Sequence, residues 1–406
     1  MTAVEDFVPV AVRPRLIALR HELHRHPELS FQEHETSRRL EAALGAAGAV
    51  AIARVAGTGL VARVRGQRSE VPSVAVRGDI DALPIHEATG APFTSVHDGV
   101  MHACGHDVHA AWTVGAAHLL ATRPAEGDVL IVLQPAEEIG LGAAAVLESG
   151  ALDGVAAIVG AHVDLRFPLG QVVAEAGPLA AAADGFTIEV RGRGAHGARP
   201  HEGRDPIVAA AAVVTALQTV VARRTSPGDP AVVTVGTFQA GSAPNVIPET
   251  AVLSGTIRTV HPETRRRLHE AVREVADTAA RAHGTEAVVR ITMGTPPIVN
   301  EASHVAWARA AVERLLGAAA LVPLPEPNLG GEDFAVYLER IPGCFLRIGA
   351  RSPDGEVLPA HTPRFLPDDG AVLVGAAVLA ETAREMSRAI CGGQGGQDGQ
   401  GGRRSP

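Results

Sequence analysis

Strand-like and helix-like segments alternate along most of this chain, and the alternation is interrupted once. Residues 58–64 (TGLVARV), 72–77 (PSVAVR), 128–134 (DVLIVLQ) and 155–161 (VAAIVGA) read as strands, with helices expected near 107–121 and 141–149. Two earlier helical patterns, 13–26 and 32–48, are separated by Pro27. This order predicts an α/β domain with a largely parallel sheet. After Pro178 the order becomes strand 185–191, helix 205–224, strands 231–238 and 251–258, helix 263–283 and strand 287–292. Such a β-α-β-β-α-β run is a ferredoxin-like unit, able to bury a core of its own. Helices near 303–317 and 332–341, a strand at 344–349 and a helix at 370–390 then resume the first pattern. The expected organisation is a larger domain, 1–180 and 292–391, with a smaller one, 181–291, inserted. Residues 392–406 (GGQGGQDGQGGRRSP) have the composition of a disordered tail.

Length agrees with two domains, since 406 residues exceed the rough 100–200 that one domain occupies. Aromatic residues make up only 3% of the chain, so Ala, Val and Leu must build the cores. A net charge of −9 gives no basic face for nucleic acid. The chain contains no lysine. That excludes a phosphate-cradling Gly-Lys-Ser/Thr loop, a Schiff-base lysine and a metal centre bridged by carboxylated lysine. Cys104, Cys344 and Cys391 are too few and too scattered for a disulfide framework. Glu5 and Asp6 argue against a signal peptide. No stretch of about 18 residues reads as a membrane span; the apolar run at 207–222 is broken by Gln218. A soluble cytoplasmic protein is expected.

Candidate chemistry gathers at strand ends. Asp79 and Asp81 follow the strand expected to end at Arg77, Glu137 and Glu138 follow the one ending near Gln134, and His162 follows the one ending at Ala161. In an open parallel sheet these ends line one crevice, where ligands bind. The segment MHACGHDVH (101–109) adds Cys104 and His106 in a loop entering a helix. Thiolate and imidazole are good ligands for zinc and related ions. A lone Cys is usually a small buried hydrophobe, but this one sits among His102, His106, Asp107 and His109. Adjacent carboxylates at 137 and 138 can divide the work, one binding metal and the other moving a proton. His162 and His361, the latter in PAHTPRF, carry little weight alone. There is no Cys-x-x-Cys pair, no His-Glu-x-x-His and no Gly-x-Ser-x-Gly elbow, which sets aside zinc fingers, thermolysin-type proteases and serine hydrolases.

Ordered motifs through most of the chain then resemble one family. They are RHELHRHPELSFQE (20–33), RGDIDALPIHE (77–87), GVMHACGHDVHA (99–110), QPAEE (134–138), GAH (160–162), GAHGARPHEGRDP (194–206), NVIPE (245–249), GTIRT (255–259), GGEDFAVY (330–337) and LPAHTPRF (358–365). Together they are similar to the dinuclear metallopeptidases and amidohydrolases that include aminoacylases, hippurate hydrolase, indole-acetyl-amino-acid hydrolases and carboxypeptidase G. The Cys-containing form resembles the amidohydrolase branch.

The resemblance implies a phosphorylase/hydrolase-like catalytic domain and an inserted ferredoxin-like lid and dimerisation domain. It implies two divalent ions (Zn, Mn, Co or Ni) held by Cys104, His106, Glu138, His162 and His361. Glu137 would be the general base and later the acid, and Asp81 would orient a metal ligand. His196 matches a histidine that stabilises the oxyanion, in some relatives at the partner subunit's site. Asn245 and Arg258 match residues that bind the substrate's backbone and carboxylate. The expected activity is hydrolysis of N-acyl amino acids by a homodimer joined through the lid. A dipeptidase or an N-acetyl-diaminopimelate-type deacetylase with the same machinery is the alternative, and a non-catalytic metal-binding module a third reading.

Overall fold

The computed structural model describes residues 7–394. In chain order it contains α1 (Arg13–Arg25), α2 (His34–Ala46), β1 (Ala51–Val55), β2 (Gly59–Val64), β3 (Val74–Asp79), α3 (His106–Thr122), β4 (Val129–Gln134), α4 (Gly142–Glu148), β5 (Ala157–Pro168) and β6 (Val172–Val173). The inserted region follows with β7 (Ala182–Arg191), α5 (Pro206–Arg224), β8 (Ala231–Ala240), β9 (Thr250–Thr259), α6 (Pro262–Ala282) and β10 (Glu286–Thr292). The chain returns through α7 (Ala302–Leu316), β11 (Gly343–Arg351) and α8 (Gly370–Gln394). Part of the expected tail, from residue 395 on, lies outside the described residues, while 392–394 continue α8.

Two compact units result. One holds the described residues up to Gly177, Asn300–Pro325 and those from Val336 onward; the other is Pro178–Val299 with Glu326–Ala335. The second therefore includes a returning segment beyond 181–291. Its backbone is stitched in by the N–H of Ala181 donating to the Asn328 carbonyl and that of Asn328 donating to Leu179.

The first unit is built on a seven-stranded sheet in the order β1-β2-β4-β3-β5-β11-β6. Its four central strands, β4, β3, β5 and β11, run parallel, and the flanking pairings are antiparallel. Every residue of β3 and β4 is buried, as expected of central parallel strands covered on both faces. Helix α3 is buried along nearly its whole length. Its Ala110, Ala111, Ala116 and Ala117, with Ala376, Ala380 and Ala383 of α8, belong to the main core. Small side chains on facing helices allow close approach, which offsets the shortage of aromatics.

Strand β5 runs past its expected end through Pro168. His162 thus lies inside the strand, opposite Arg347 of β11. Asp164 and Arg166 gave this stretch the polarity of a loop, yet they pair with each other at 2.6 Å and the ladder continues. Likewise β3 runs two residues past its expected end at Arg77, so that Asp79 is its last residue. The helix expected over 332–341 shortens to Phe334–Leu338.

The second unit has a four-stranded antiparallel sheet in the order β8-β9-β7-β10, the ferredoxin-like arrangement. Along β7 buried and half-buried residues alternate, because only one face is covered. That face packs on Ala209, Val213, Leu217 and Val220 of α5 and Leu268, Val272 and Ala276 of α6. By length and composition α5 is apolar enough to cross a membrane, so Gln218 does not break it as expected; its apolar stripe instead serves this core. A buried Asp184 ties α6 to the sheet, accepting bonds from Arg265 at 2.7 and 2.6 Å and bonding His269 at 2.7 Å.

Candidate metal centre and active site

The loop entering α3 (Cys104), the start of α3 (His106), the turn after β4 (Glu138), the middle of β5 (His162) and the loop holding His361 bring five candidate donor side chains of the first unit together. The ligand atoms of Cys104, His106 and His162 lie within 4.8 Å of one another, as do those of Cys104, Glu138 and His361 and those of His106, Glu137 and Glu138. Cys104 Sγ is 3.3 Å from His162 Nε2. Glu138 lies 3.3 Å from His361 Nε2 and 3.8 Å from His106 Nε2, and Glu137 is 3.9 Å from the same His106 nitrogen.

Local structure fixes which atoms face the centre. Gly105 has φ +87°, and a Cβ there would stand 2.5 Å from Val163 Cγ2. Only glycine therefore lets the chain turn sharply enough for Cys104 and His106 to point to one place. His106 Nδ1 bonds the Asp81 carbonyl oxygen at 2.9 Å and its carboxylate at 3.2 Å. His162 Nδ1 bonds the Val163 carbonyl at 2.6 Å. Since a carbonyl only accepts, both rings carry a proton on Nδ1, so that in the neutral imidazole the lone pair lies on Nε2, the arrangement a metal-binding imidazole needs. Burial opposes a charge on His106, but Asp79, Asp81 and Cys104 raise it well above its ordinary value, and a cation at Nε2 would take the proton's place. His361 is anchored by its own N–H, which donates to the Ala103 carbonyl at 2.8 Å.

The donor set fits divalent cations. His106 Nε2 and Glu138 Oε1 are buried and make no hydrogen bond, a costly condition unless something else satisfies them. Burial pushes Glu138 up to about 7, with Asp81 and Asp79 adding to the rise and His106 opposing it. Burial also drives the Cys104 thiol well above its ordinary value, reinforced by Glu138. Burial lowers His162. A divalent cation reverses such penalties by favouring thiolate, carboxylate and neutral imidazole.

Asp79, His106 and His109 form another close group, but the atoms of Asp79 and His109 are already engaged. Asp79 bonds His109 Nδ1 at 2.6 Å and accepts from Arg77 at 2.6 Å, while His109 Nε2 accepts the Val163 N–H at 3.0 Å. This group braces β3, α3 and β5 beneath the donors. Sequence reasoning had not assigned that work to His109. It also missed Ser30, which donates to Asp81 at 2.7 Å, and Glu33, although both lie in the motif PELSFQE (27–33).

The remaining predicted residues belong to the second unit. His196 and Val246 face each other across a short ladder, and Gly197 N–H donates to the Asn245 carbonyl at 2.7 Å. His196 and Asn245, far apart in sequence, are thus neighbours. His196 Nδ1 accepts the Ala198 N–H at 3.1 Å, which leaves Nε2 as the donor of the neutral ring. Arg258 lies on β9, its Nε donating to Thr256 at 2.9 Å.

The model of peptidase family M20/M25/M40 matches residues 75–385. N-acetyl-L-cysteine deacetylase of Bacillus subtilis (strain 168) is 40% identical over 391 residues, covering 95% of this chain and 92% of the relative. N-acetylcysteine deacetylase of the same organism is 42% identical over 377 residues, covering 92% and 97%. Among solved structures, a dinuclear metal-binding M20 peptidase of Bacillus subtilis superposes with a TM-score of 0.83 at 38% identity, covering 94% of this chain and 99% of that one.

Proposed function

The chain belongs to peptidase family M20/M25/M40 and is a metal-dependent hydrolase acting on amides; on that footing we propose that it releases amino acids from their N-acyl, chiefly N-acetyl, derivatives. The two deacetylase relatives support this substrate class. The observation that carries the reading is the buried Nε2 of His106, which makes no hydrogen bond and lies close to Cys104 and to the likewise unbonded Oε1 of Glu138, with Glu137 alongside.

In this proposal Cys104, His106, Glu138, His162 and His361 hold two cations. When bound, such ions polarise the amide carbonyl and make water acidic enough to deprotonate near neutral pH. Glu137 takes that proton and delivers it to the leaving nitrogen. Asp81 keeps the His106 ring turned. His196, through Nε2–H, stabilises the oxyanion, where charge appears only as the tetrahedral intermediate forms. Asn245 binds the substrate backbone. Arg258 forms no salt bridge among the described residues and is free to grip the substrate carboxylate through two parallel bonds.

We also propose a homodimer formed through the second unit. Strand β8 is an edge of its sheet, and Phe238 on it and Ile207 and Val208 on α5 are exposed, a combination that invites pairing. The free cysteines agree with a cytoplasmic location.

A panel of N-acetyl amino acids, N-benzoyl amino acids and dipeptides, assayed on protein of known metal content, tests the reading. Turnover of the N-acetyl series is expected, lost on chelation and restored by Zn, Mn or Co. Activity on dipeptides alone would refute the substrate class, and full activity in metal-free protein would refute the chemistry.

A further inference from the structure

The turn that carries Glu137 and Glu138 is held by two carboxylates from elsewhere in the first unit. Asp81 Oδ2 accepts the Glu138 N–H at 3.0 Å, and Glu33 Oε1 accepts the Ala136 N–H at 2.9 Å. Glu33 lies at the entrance to α2 and is fully buried. Its second oxygen accepts the Thr58 hydroxyl at 2.5 Å.

Ala136 is the residue immediately before Glu137, and its φ is +54°. Residues with a Cβ seldom adopt this left-handed conformation and keep it only where their surroundings impose it. Here both sides of the residue are pinned. Its N–H is taken by Glu33, and its carbonyl accepts the N–H groups of Leu141 at 3.3 Å and Gly142 at 3.1 Å. Gly142 is required for that closure, because a Cβ there would lie 1.7 Å from the Pro135 carbonyl oxygen. The loop from 136 to 142 is thus shut behind Glu137 and Glu138, and the direction in which Glu137 leaves it depends on the Ala136 backbone.

We infer that Glu33 is a positioning residue for the general base, holding Ala136 in its left-handed conformation and so aiming the Glu137 carboxylate. The inference rests on Glu137 being the base. A carboxylate buried at this point carries a desolvation cost that an apolar side chain avoids. What it contributes in return is an acceptor at a fixed height above α2. A glutamine supplies the same acceptor, and its amide can donate to Thr58 Oγ1 in place of receiving from it. Aspartate keeps the charge but withdraws the acceptor by one methylene.

The experiment compares Glu33→Asp, Glu33→Gln, Glu33→Ala and the double variant Glu33→Ala/Ala136→Gly with the wild type. It measures kcat and KM on N-acetyl amino acids together with bound metal, and Glu137→Gln serves as the control lacking the base. Misplacing a reacting group by about 1 Å can cost on the order of a hundredfold. Glu33→Asp and Glu33→Ala are therefore expected to lose about 10–100-fold in kcat, with KM and metal content within about twofold of wild type. Glu33→Gln is expected to stay within about threefold, since its acceptor remains. Ala136→Gly, which permits positive φ without strain, is expected to restore at least about threefold to Glu33→Ala. Wild-type kcat in Glu33→Asp and Glu33→Ala, a loss accompanied by loss of metal, or no recovery in the double variant would overturn the inference. Should Glu33→Ala fail to fold, equal kcat in Glu33→Asp and Glu33→Gln would overturn it. Wild-type turnover in Glu137→Gln would instead overturn the assignment of the base.

Discussion

His106 Nδ1 bonds the Asp81 carbonyl oxygen at 2.9 Å and the Asp81 carboxylate at 3.2 Å, so one residue sets both the tautomer and the tilt of the ring. The same carboxylate also receives the Glu138 N–H and the Ser30 hydroxyl. Partners of this kind typically change metal affinity by about 10–100-fold when removed. Asp81→Ala is expected to weaken cation binding by that factor in calorimetric titration. Unchanged affinity would mean that packing alone fixes the ring.

Glu137→Gln removes the proposed proton carrier while preserving size. General-base contributions are typically about 10²–10⁴, so turnover is expected to fall at least about a hundredfold with the metals retained. Metal content and single-turnover kinetics on the same sample check this; near-normal turnover would end Glu137's role.

Gly105→Ala tests the hinge between Cys104 and His106. The added Cβ would meet Val163 Cγ2 at 2.5 Å, and the φ of +87° is unfavourable for alanine. Forcing a side chain into such a conformation costs about 1–3 kcal/mol. A lower melting temperature and substoichiometric metal are expected. Wild-type values for both would show that the loop relaxes freely.

His24 offers a pH signature away from the donors. It bonds Asp107 at 3.0 Å and Glu87 at 3.1 Å. Burial alone would lower it, but Asp107 and Glu87 outweigh burial and raise it from 6.5 to about 9. A folded value above the unfolded one means that protonated His24 stabilises the protein fully below about 6.5 and loses that effect as pH rises through about 9. The rise corresponds to stability on the order of 3 kcal/mol. In thermal unfolding, the gap between wild type and His24→Gln is expected to be widest near pH 6 and to narrow by pH 9–10. A gap independent of pH would show that the ring is not charged.

The sheet was legible where the chain wrote unbroken apolar runs. VLIVLQ reads as a short strand covered on both faces, and β4 begins and ends within a residue of its expected limits. Strand β1 escaped notice because it is an edge strand with only Val55 buried. The two-residue ladder between Ala195–His196 and Val246–Ile247 is too short for any periodicity. Cys104, His106, Glu137 and Glu138 could be picked out because donor residue types cluster there. Glu33, Ser30 and His109 could not, since each acts through hydrogen bonds made across the fold, and the motifs that contain them do not name the partners. Their contribution is tertiary.

The five proposed donors come from a loop, a helix start, a turn, a strand interior and a second loop, spread from residue 104 to residue 361. An unfolded chain scatters them, so cations that need all of them together bind the native state alone. Such binding adds about 2.7 kcal/mol at a free concentration one hundred times the dissociation constant. The centre is in this sense a clasp across the sequence. Resistance to unfolding and proteolysis should follow cation supply, and the side chains proposed to serve turnover would also set how long the enzyme lasts when metal runs short.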